Sequence, residues 1–284
     1  AWLLVRKNLD RFNLDYYRPL GNPTKFIHAL VKHFSRCKDE GIAPEDYLEY
    51  AKNVKLNADT EGGPHPSPLL KGEGGGEVLR INELANAYHT YQQLLLENSA
   101  LDFGDLLIYT LRLFRERPAI LEKYRAQFLH ILVDEFQDTN WTQYELVKLL
   151  AAPRNNITVV SDDDQAIYRW RGASYNNVIV FARDFPDATK VSLVANYRSK
   201  QNILDLAYSF IQHNNPNRLE AQLQQSSTPG VIGVVTKRLT ATRGGEAAIE
   251  HLHGVTEFDE ARLVVEKILE LRRSVLRTES GSLQ

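Results

Sequence analysis

Apolar residues in this chain of 284 residues change period along its length, and the changes divide it into elements. Residues 17–56 read as helical: PTKFIHALVKHFSRCKDEG sets Phe26, Ile27, Leu30, Val31 and Phe34 along one stripe, and Gly41 suits a helix stop. Pro44, Glu45 and Asp46 fit the first turn of a second helix, where proline and acids are favoured. The spacing of Val78, Ile81, Leu84, Ala85, Tyr88, Tyr91 and Leu95 predicts a long helix from Glu77 to Ser99. Asp102 is placed to cap a helix over LDFGDLLIYTLRLF, and another is expected from Ala119 to Phe128. Three continuous apolar runs then read as strands: ILV from Ile131, ITVV from Ile157, and VSLVANYRS over Val191–Ser199. Beyond them QNILDLAYSFIQHN predicts a helix ended at Asn214–Asn217. A polar linker over Ala221–Gly230, a strand VIGVVT, a break TATRGG, a helix EFDEARLVVEKILELRR and a frayed end SVLRTESGSLQ complete the pattern.

Residues 58–76 interrupt this order. Six glycines and three prolines in nineteen residues, with two leucines, cannot build a core, so ADTEGGPHPSPLLKGEGGG is expected to be a surface insertion, with His65 a loop residue. Composition otherwise bounds the class without naming a function. Charged residues are 25% and hydrophobic ones 43%, as in ordinary globular proteins. The formal charge of −2 gives no support for a basic face overall, although a local basic track would not show in the sum. A single cysteine, Cys37, excludes an internal disulfide or a cysteine-rich metal module and fits a cytoplasmic location. No apolar run reaches the ~18 residues of a membrane span, so no membrane partner is expected.

Chemistry concentrates where the three strands end. The first delivers Asp134, Glu135, Gln137 and Asp138 (ILVDEFQDTN); the second delivers SDDDQAIYRWRGA; the third ends in Tyr197 and Arg198. Apolar strands with polar C-terminal ends are what an open parallel sheet offers a nucleotide. Paired carboxylates suit a hard cation that keeps several waters, and one of them can activate water. The rings and guanidinium groups of Tyr168, Arg169, Trp170 and Arg171 could grip stacked bases and phosphate, or equally be core aromatics beside surface arginines. Asp138 could as easily cap a helix. Arg6, Lys7 and Arg11 read as a helical surface face.

In this order and spacing, the three segments resemble the UvrD/PcrA/Rep-like superfamily 1 DNA helicases, most closely over Leu101–Arg218. The resemblance implies an α/β fold with part of a RecA-like parallel sheet, of the P-loop NTPase superfamily, beside a mostly helical accessory region. Residues 1–100 would be that accessory, 1B-like region with its low-complexity insertion at 58–76, 101–220 part of the first motor domain, and 221–284 the start of the second. Lys237–Gly254 fits the family pattern poorly and reads as an insertion. ATP and Mg2+ are the implied cofactors and single-stranded and duplex DNA the implied partners, with 3′-to-5′ unwinding expected; DNA repair is one setting the family suggests beside replication and recombination, and nothing sets the pathway or the oligomeric state.

The same resemblance assigns roles residue by residue. Asp134 would be the metal-associated acid and Glu135 the water-activating one, with Gln137 and Asp138 coupling the motifs. Gln165 would sense the γ-phosphate, Tyr197 stack on adenine and Arg198 stabilise transferred charge. Trp170 would stack on bases beside Tyr168, and Arg171 would connect the DNA and ATP sites. The family usually has Gly where this chain has Ser161, and a left-handed turn there would strain the serine. No G-x-x-x-x-G-K-[ST] segment occurs, and there is no Met, so the chain reads as an internal fragment, inactive alone, of an ATP-dependent helicase. A helicase component of a nuclease-coupled recombination enzyme and a non-hydrolysing nucleic-acid-binding scaffold are the alternatives.

Overall fold

The computed structural model describes residues 1–59, 74–166, 176–216, 218, 220–221 and 236–281. Packing divides the chain into two units, Ala1–Ala188 and Thr189–Gln284. The first unit runs α1 (Trp2–Lys7), α2 (Ile27–Asp39), α3 (Pro44–Asp59), α4 (Gly74–Glu97), α5 (Phe103–Glu116), α6 (Pro118–Gln127), β1 (Ile131–Val133), α7 (Trp141–Ala151), β2 (Ile157–Val159) and α8 (Asn176–Asp184). The second contains β3 (Ala195–Lys200), α9 (Gln201–Ile211), β4 (Thr240–Arg243) and α10 (Glu257–Gly281). It is an α/β fold with two small parallel sheets.

The apolar stripe of α2 meets that of α4. Ile27, Leu30 and Phe34 are buried with Leu84, Tyr88, Tyr91, Leu94 and Leu95, and Phe34 stacks on Tyr88 (5.2 Å) and Tyr91 (5.3 Å). Burying side chains of this size contributes about 1.5–3 kcal/mol each, which outweighs the weak preference of any one turn. The helix expected from residue 17 begins only at Ile27. Pro19, Gly21, Asn22 and Pro23 turn the chain instead, through Asn22 N–H to Pro19 O and Lys25 N–H to Asn22 O. Helix α2 stops as its glycine predicts: Gly41 has φ +74°, and its N–H and that of Ile42 close back on Lys38 O and Cys37 O. A Cβ at Gly41 would overlap the Trp141 ring at the start of α7, so the glycine is required twice. The predicted break at 58–76 is helical at its edges, since α3 continues to Asp59 and α4 starts at Gly74; residues 60–73, His65 among them, lie outside the described residues. Extending an existing helix by a turn is easier than starting one, even through glycine.

Strands β1 and β2 pair in parallel with Ile131 opposite Ile157 and Val133 opposite Val159. Their inner face packs Val133, Ile157 and Val159 on Phe136, Tyr144 and Phe181, while Leu132 points outward and is 78% exposed.

The third apolar run departs from expectation. Val191–Val194 forms no strand; β3 starts at Ala195 and contains NYRS, and it pairs with β4 in a separate two-stranded sheet rather than beside β1 and β2. The partner comes from TATRGG, read from its glycines as a break. Its β-branched threonines form the strand, with Thr240 N–H on Val194 O and Thr242 Oγ1 on Asn196 O, and the glycines follow it. The VIGVVT strand lies outside the described residues except for Thr236, which is in no strand. Helix α10 appears as its period predicts, with Thr256 bonded to Asp259 at its start, and continues to Gly281 through the segment read as frayed. Among the described residues no helix is long and apolar enough to cross a membrane.

Candidate active site

Two acids stand at the end of β1 because the backbone reverses there in one residue. Glu135 adopts the left-handed conformation, φ 49° and ψ 44°, which disfavours a non-glycine residue by about 1–2 kcal/mol. Three interactions hold it: Asp134 Oδ1 accepts the Glu135 N–H (3.0 Å), Phe136 N–H donates to Val160 O (2.8 Å), and Val160 N–H donates to Val133 O (2.8 Å). The turn drives Phe136 into the core against Tyr144 and Phe181 and leaves both carboxylates exposed at the strand end. Residues held in this way cluster at functional sites, although Ser99 and Asn155 also take positive φ elsewhere in the unit. A short 3-10 turn, Phe136–Asp138, then leads to Asn140, which caps α7 reciprocally with Gln143.

Beyond β2 the chain brings a second polar group alongside. Asp162 caps a 3-10 turn over Asp163–Gln165, accepting the Asp164 N–H (3.2 Å) on Oδ1 and the Gln165 side-chain amide (2.7 Å) on Oδ2. Gln137, fully buried, joins the two strand ends. Its Nε2 donates to Glu135 Oε2 at 2.6 Å, and its Oε1 accepts from the Asp162 N–H at 3.0 Å and the Ser161 hydroxyl at 3.2 Å. Ser161 is not in the left-handed region, so the strain expected of a serine there does not arise, and its hydroxyl gains a partner. Asp138 Oδ1 is buried and meets no hydrogen-bond donor among the described residues.

The site is held from behind by helices. Thr142 Oγ1 reaches Lys38 O (2.7 Å) and Asp39 O (2.9 Å), and Asn140 Nδ2 donates to Asp39 Oδ1 (2.8 Å), so α7 starts on the end of α2. Burial raises the Asp39 carboxyl to about 6, with the Asn140 bond opposing the rise. Lys38, 1% exposed, pairs with Asp102 and Asp105, each at 2.7 Å, and Tyr91 OH donates to Asp102. Burial alone would raise the Asp102 carboxyl. Hydrogen bonding and charge from Lys38, with the Asp105 N–H and the Tyr91 hydroxyl, outweigh it and hold the group below the usual carboxylate range. Sequence reading missed this support, because a lysine in an amphipathic helix looks like a surface residue; the one signal was a pair of aspartates around Gly104, whose missing Cβ leaves room for the Lys38 stem. Cys37 is buried with its thiol pushed up to about 12, as expected of a small hydrophobe.

The structure thus brings Asp134, Glu135, Gln137, Asp162 and Gln165 together at the ends of two parallel strands. Tyr197 and Arg198 lie on β3 of the other unit, where the Arg198 carbonyl accepts from Arg243. Tyr168, Trp170 and Arg171 lie outside the described residues. The donor set in the first unit is hard carboxylate oxygen with open access, which fits Mg2+ retaining its water. No cluster of three or more metal-ligating side chains occurs among the described residues.

The UvrD/REP helicase N-terminal domain model matches residues 6–186. The chain is 40% identical over 273 residues to the ATP-dependent DNA helicase PcrA of Leuconostoc citreum, covering 95% of this chain and 30% of that protein. It is 41% identical to the ATP-dependent DNA helicase PcrA of Staphylococcus epidermidis, covering 95% and 34%, and 40% identical to that of Staphylococcus aureus, again covering 95% and 34%. The chain therefore spans about a third of the length of the curated relatives it matches.

Proposed function

We propose, from the premise that this chain belongs to the UvrD/REP helicase family, that the protein carrying it is an ATP-dependent DNA translocase that unwinds duplex DNA 3′-to-5′. The observation that carries this reading is the joining of Glu135 to the β2 turn through Gln137, which puts a carboxylate and the Gln165 amide at one edge of a parallel sheet. In it, β1 and β2 are part of a RecA-like sheet. Residues 1–100 serve as a helical accessory region, 101–220 as part of the first motor domain and 221–284 as the start of the second; this division follows motor parts, whereas packing divides the chain after Ala188. A cytoplasmic location fits the single buried thiol.

Asp134 would hold Mg2+ of an ATP complex, which when bound neutralises charge developing on the γ-phosphate. Glu135 orients the attacking water and takes its proton, and the Gln165 amide donates to a phosphate oxygen or to that water. Arg198 answers charge on the equatorial oxygens and Tyr197 stacks on adenine. Trp170, with Tyr168, stacks on DNA bases, and Arg171 links the two sites.

The test is made in a longer protein of the relatives' length that includes this chain and a phosphate-binding loop upstream of it, as this reading requires. Glu135→Gln is expected to lower DNA-stimulated phosphate release by about 10²–10⁴-fold while nucleotide still binds. The 284-residue chain, which has no G-x-x-x-x-G-K-[ST] segment, should release none above background. Undiminished turnover by the Gln variant would end the catalytic assignment.

A further inference from the structure

We propose that Gln137 is the positioning residue for the Glu135 carboxylate, with its amide orientation fixed by Ser161 and the Asp162 backbone. The proposal rests on the catalytic reading of Glu135 above and concerns what holds that group.

The backbone N–H of Asp162 can only donate, so the Gln137 atom it meets at 3.0 Å is the amide oxygen. The Ser161 hydroxyl donates to the same oxygen at 3.2 Å. With its oxygen engaged on that side, the amide must turn its NH2 toward Glu135, where Nε2 lies 2.6 Å from Oε2. A reversed amide would set its oxygen against the carboxylate. Gln137 is 1% exposed, so packing locks its torsions, whereas Glu135 is exposed and on its own would sample several rotamers. The clasp therefore takes order from the buried side chain and confers it on the exposed one.

The same bonds continue to the second motif. Gln165 Nε2 donates to Asp162 Oδ2, Asp162 N–H to Gln137, and Gln137 to Glu135, a three-bond path between the two groups assigned to the reacting phosphate. Any rearrangement of the Asp163–Gln165 turn that moves the Asp162 N–H also withdraws the bond that orients the clasp. Ser161 is the side-chain member of this device, since the Asp162 contact is made by the backbone and survives a change of side chain at residue 161.

Side-chain amide NMR on the 284-residue chain tests the geometry. One Gln137 Nε2 proton should be shifted downfield and slow to exchange, lose both properties in Glu135→Ala, and lose part of its protection in Ser161→Ala. A Gln137 amide indifferent to Glu135→Ala overturns the clasp. In the longer protein, Gln137→Leu should lower kcat for ATP hydrolysis on the order of 10–100-fold with little change in KM, as for residues that orient a reacting group. Ser161→Ala should give a smaller kcat loss that Ser161→Thr restores, and this pair decides the matter if Gln137→Leu does not fold. Full kcat in Gln137→Leu, beside loss of turnover in Glu135→Gln, overturns the positioning role. Full turnover in Glu135→Gln instead overturns the catalytic reading, and with it any service of the clasp to chemistry.

Discussion

Tyr88 and Tyr91 of α4 are enclosed by their own neighbours, whereas Tyr197 of β3 is 77% exposed and Leu132 of β1 78% exposed. The helical region closes on itself because each amphipathic helix needs only one apolar face covered, and α2, α4 and the N-terminal segment cover one another. Parallel strands need both faces covered and a neighbour on each edge. Neither two-stranded sheet has that among the described residues, and α9 buries no residue fully. The first kind of region carries its stability with it, and the second, among the described residues, leaves apolar side chains such as Leu132 uncovered.

The largest effect should come from the centre of the closed region. Lys38→Met leaves Asp102 and Asp105 without their cation, and breaking a buried pair in this way should destabilise the first unit by about 3–5 kcal/mol. Denaturant unfolding measures it, and a loss below about 1 kcal/mol, the scale of an exposed pair, would show that the hub is solvated and the contrast false.

A smaller effect sharpens the same boundary at Asp39. Its folded value of about 6 stands above its usual 3.8, so the native state binds the proton more tightly than the unfolded chain. The contribution of Asp39 to stability is present below the unfolded value and is lost as pH rises through about 6. Asp39→Asn, which keeps an acceptor for Asn140, should raise stability near neutral pH by on the order of 1 kcal/mol, allowing for partial solvent screening, and leave it unchanged in acid. Melting temperature against pH for the two proteins checks this; parallel curves would refute it. Least of all should happen at the open sheet, where Leu132→Thr is expected to shift stability by under about 0.5 kcal/mol, as at an ordinary surface position. A loss of 2 kcal/mol or more in the same unfolding experiment would mean that the outer face is covered.

What could be read in advance follows the same division. The stripes of α2 and α4 and the Asp102 cap are local patterns; α4 and α5 start within a few residues of expectation, whereas α2 starts ten residues late because prolines and Gly21 turn the chain before it. Strands β1 and β2 were legible because a short β-branched run ending in acids has few other uses. Strand β3 starts four residues later than expected because, among the described residues, Val191–Val194 is tied to β4 only through Val194 O, and β4 was missed because its glycines spoke louder than its threonines. The paired acids and Gln165 were legible as chemistry. The Gln137–Ser161 bond was not, since it joins positions whose proximity only the parallel register of β1 and β2 creates.

The fit of Trp141 over Gly41 constrains how this protein can change over generations. Any larger residue at position 41 collides with the indole and must also accept a left-handed backbone, so such a change is tolerable only after the ring has been trimmed. A smaller residue at 141 with glycine retained costs only packing. The two positions are therefore epistatic, and the permitted order of substitution runs through 141 first, so a lineage that has altered position 41 should already have lost its tryptophan.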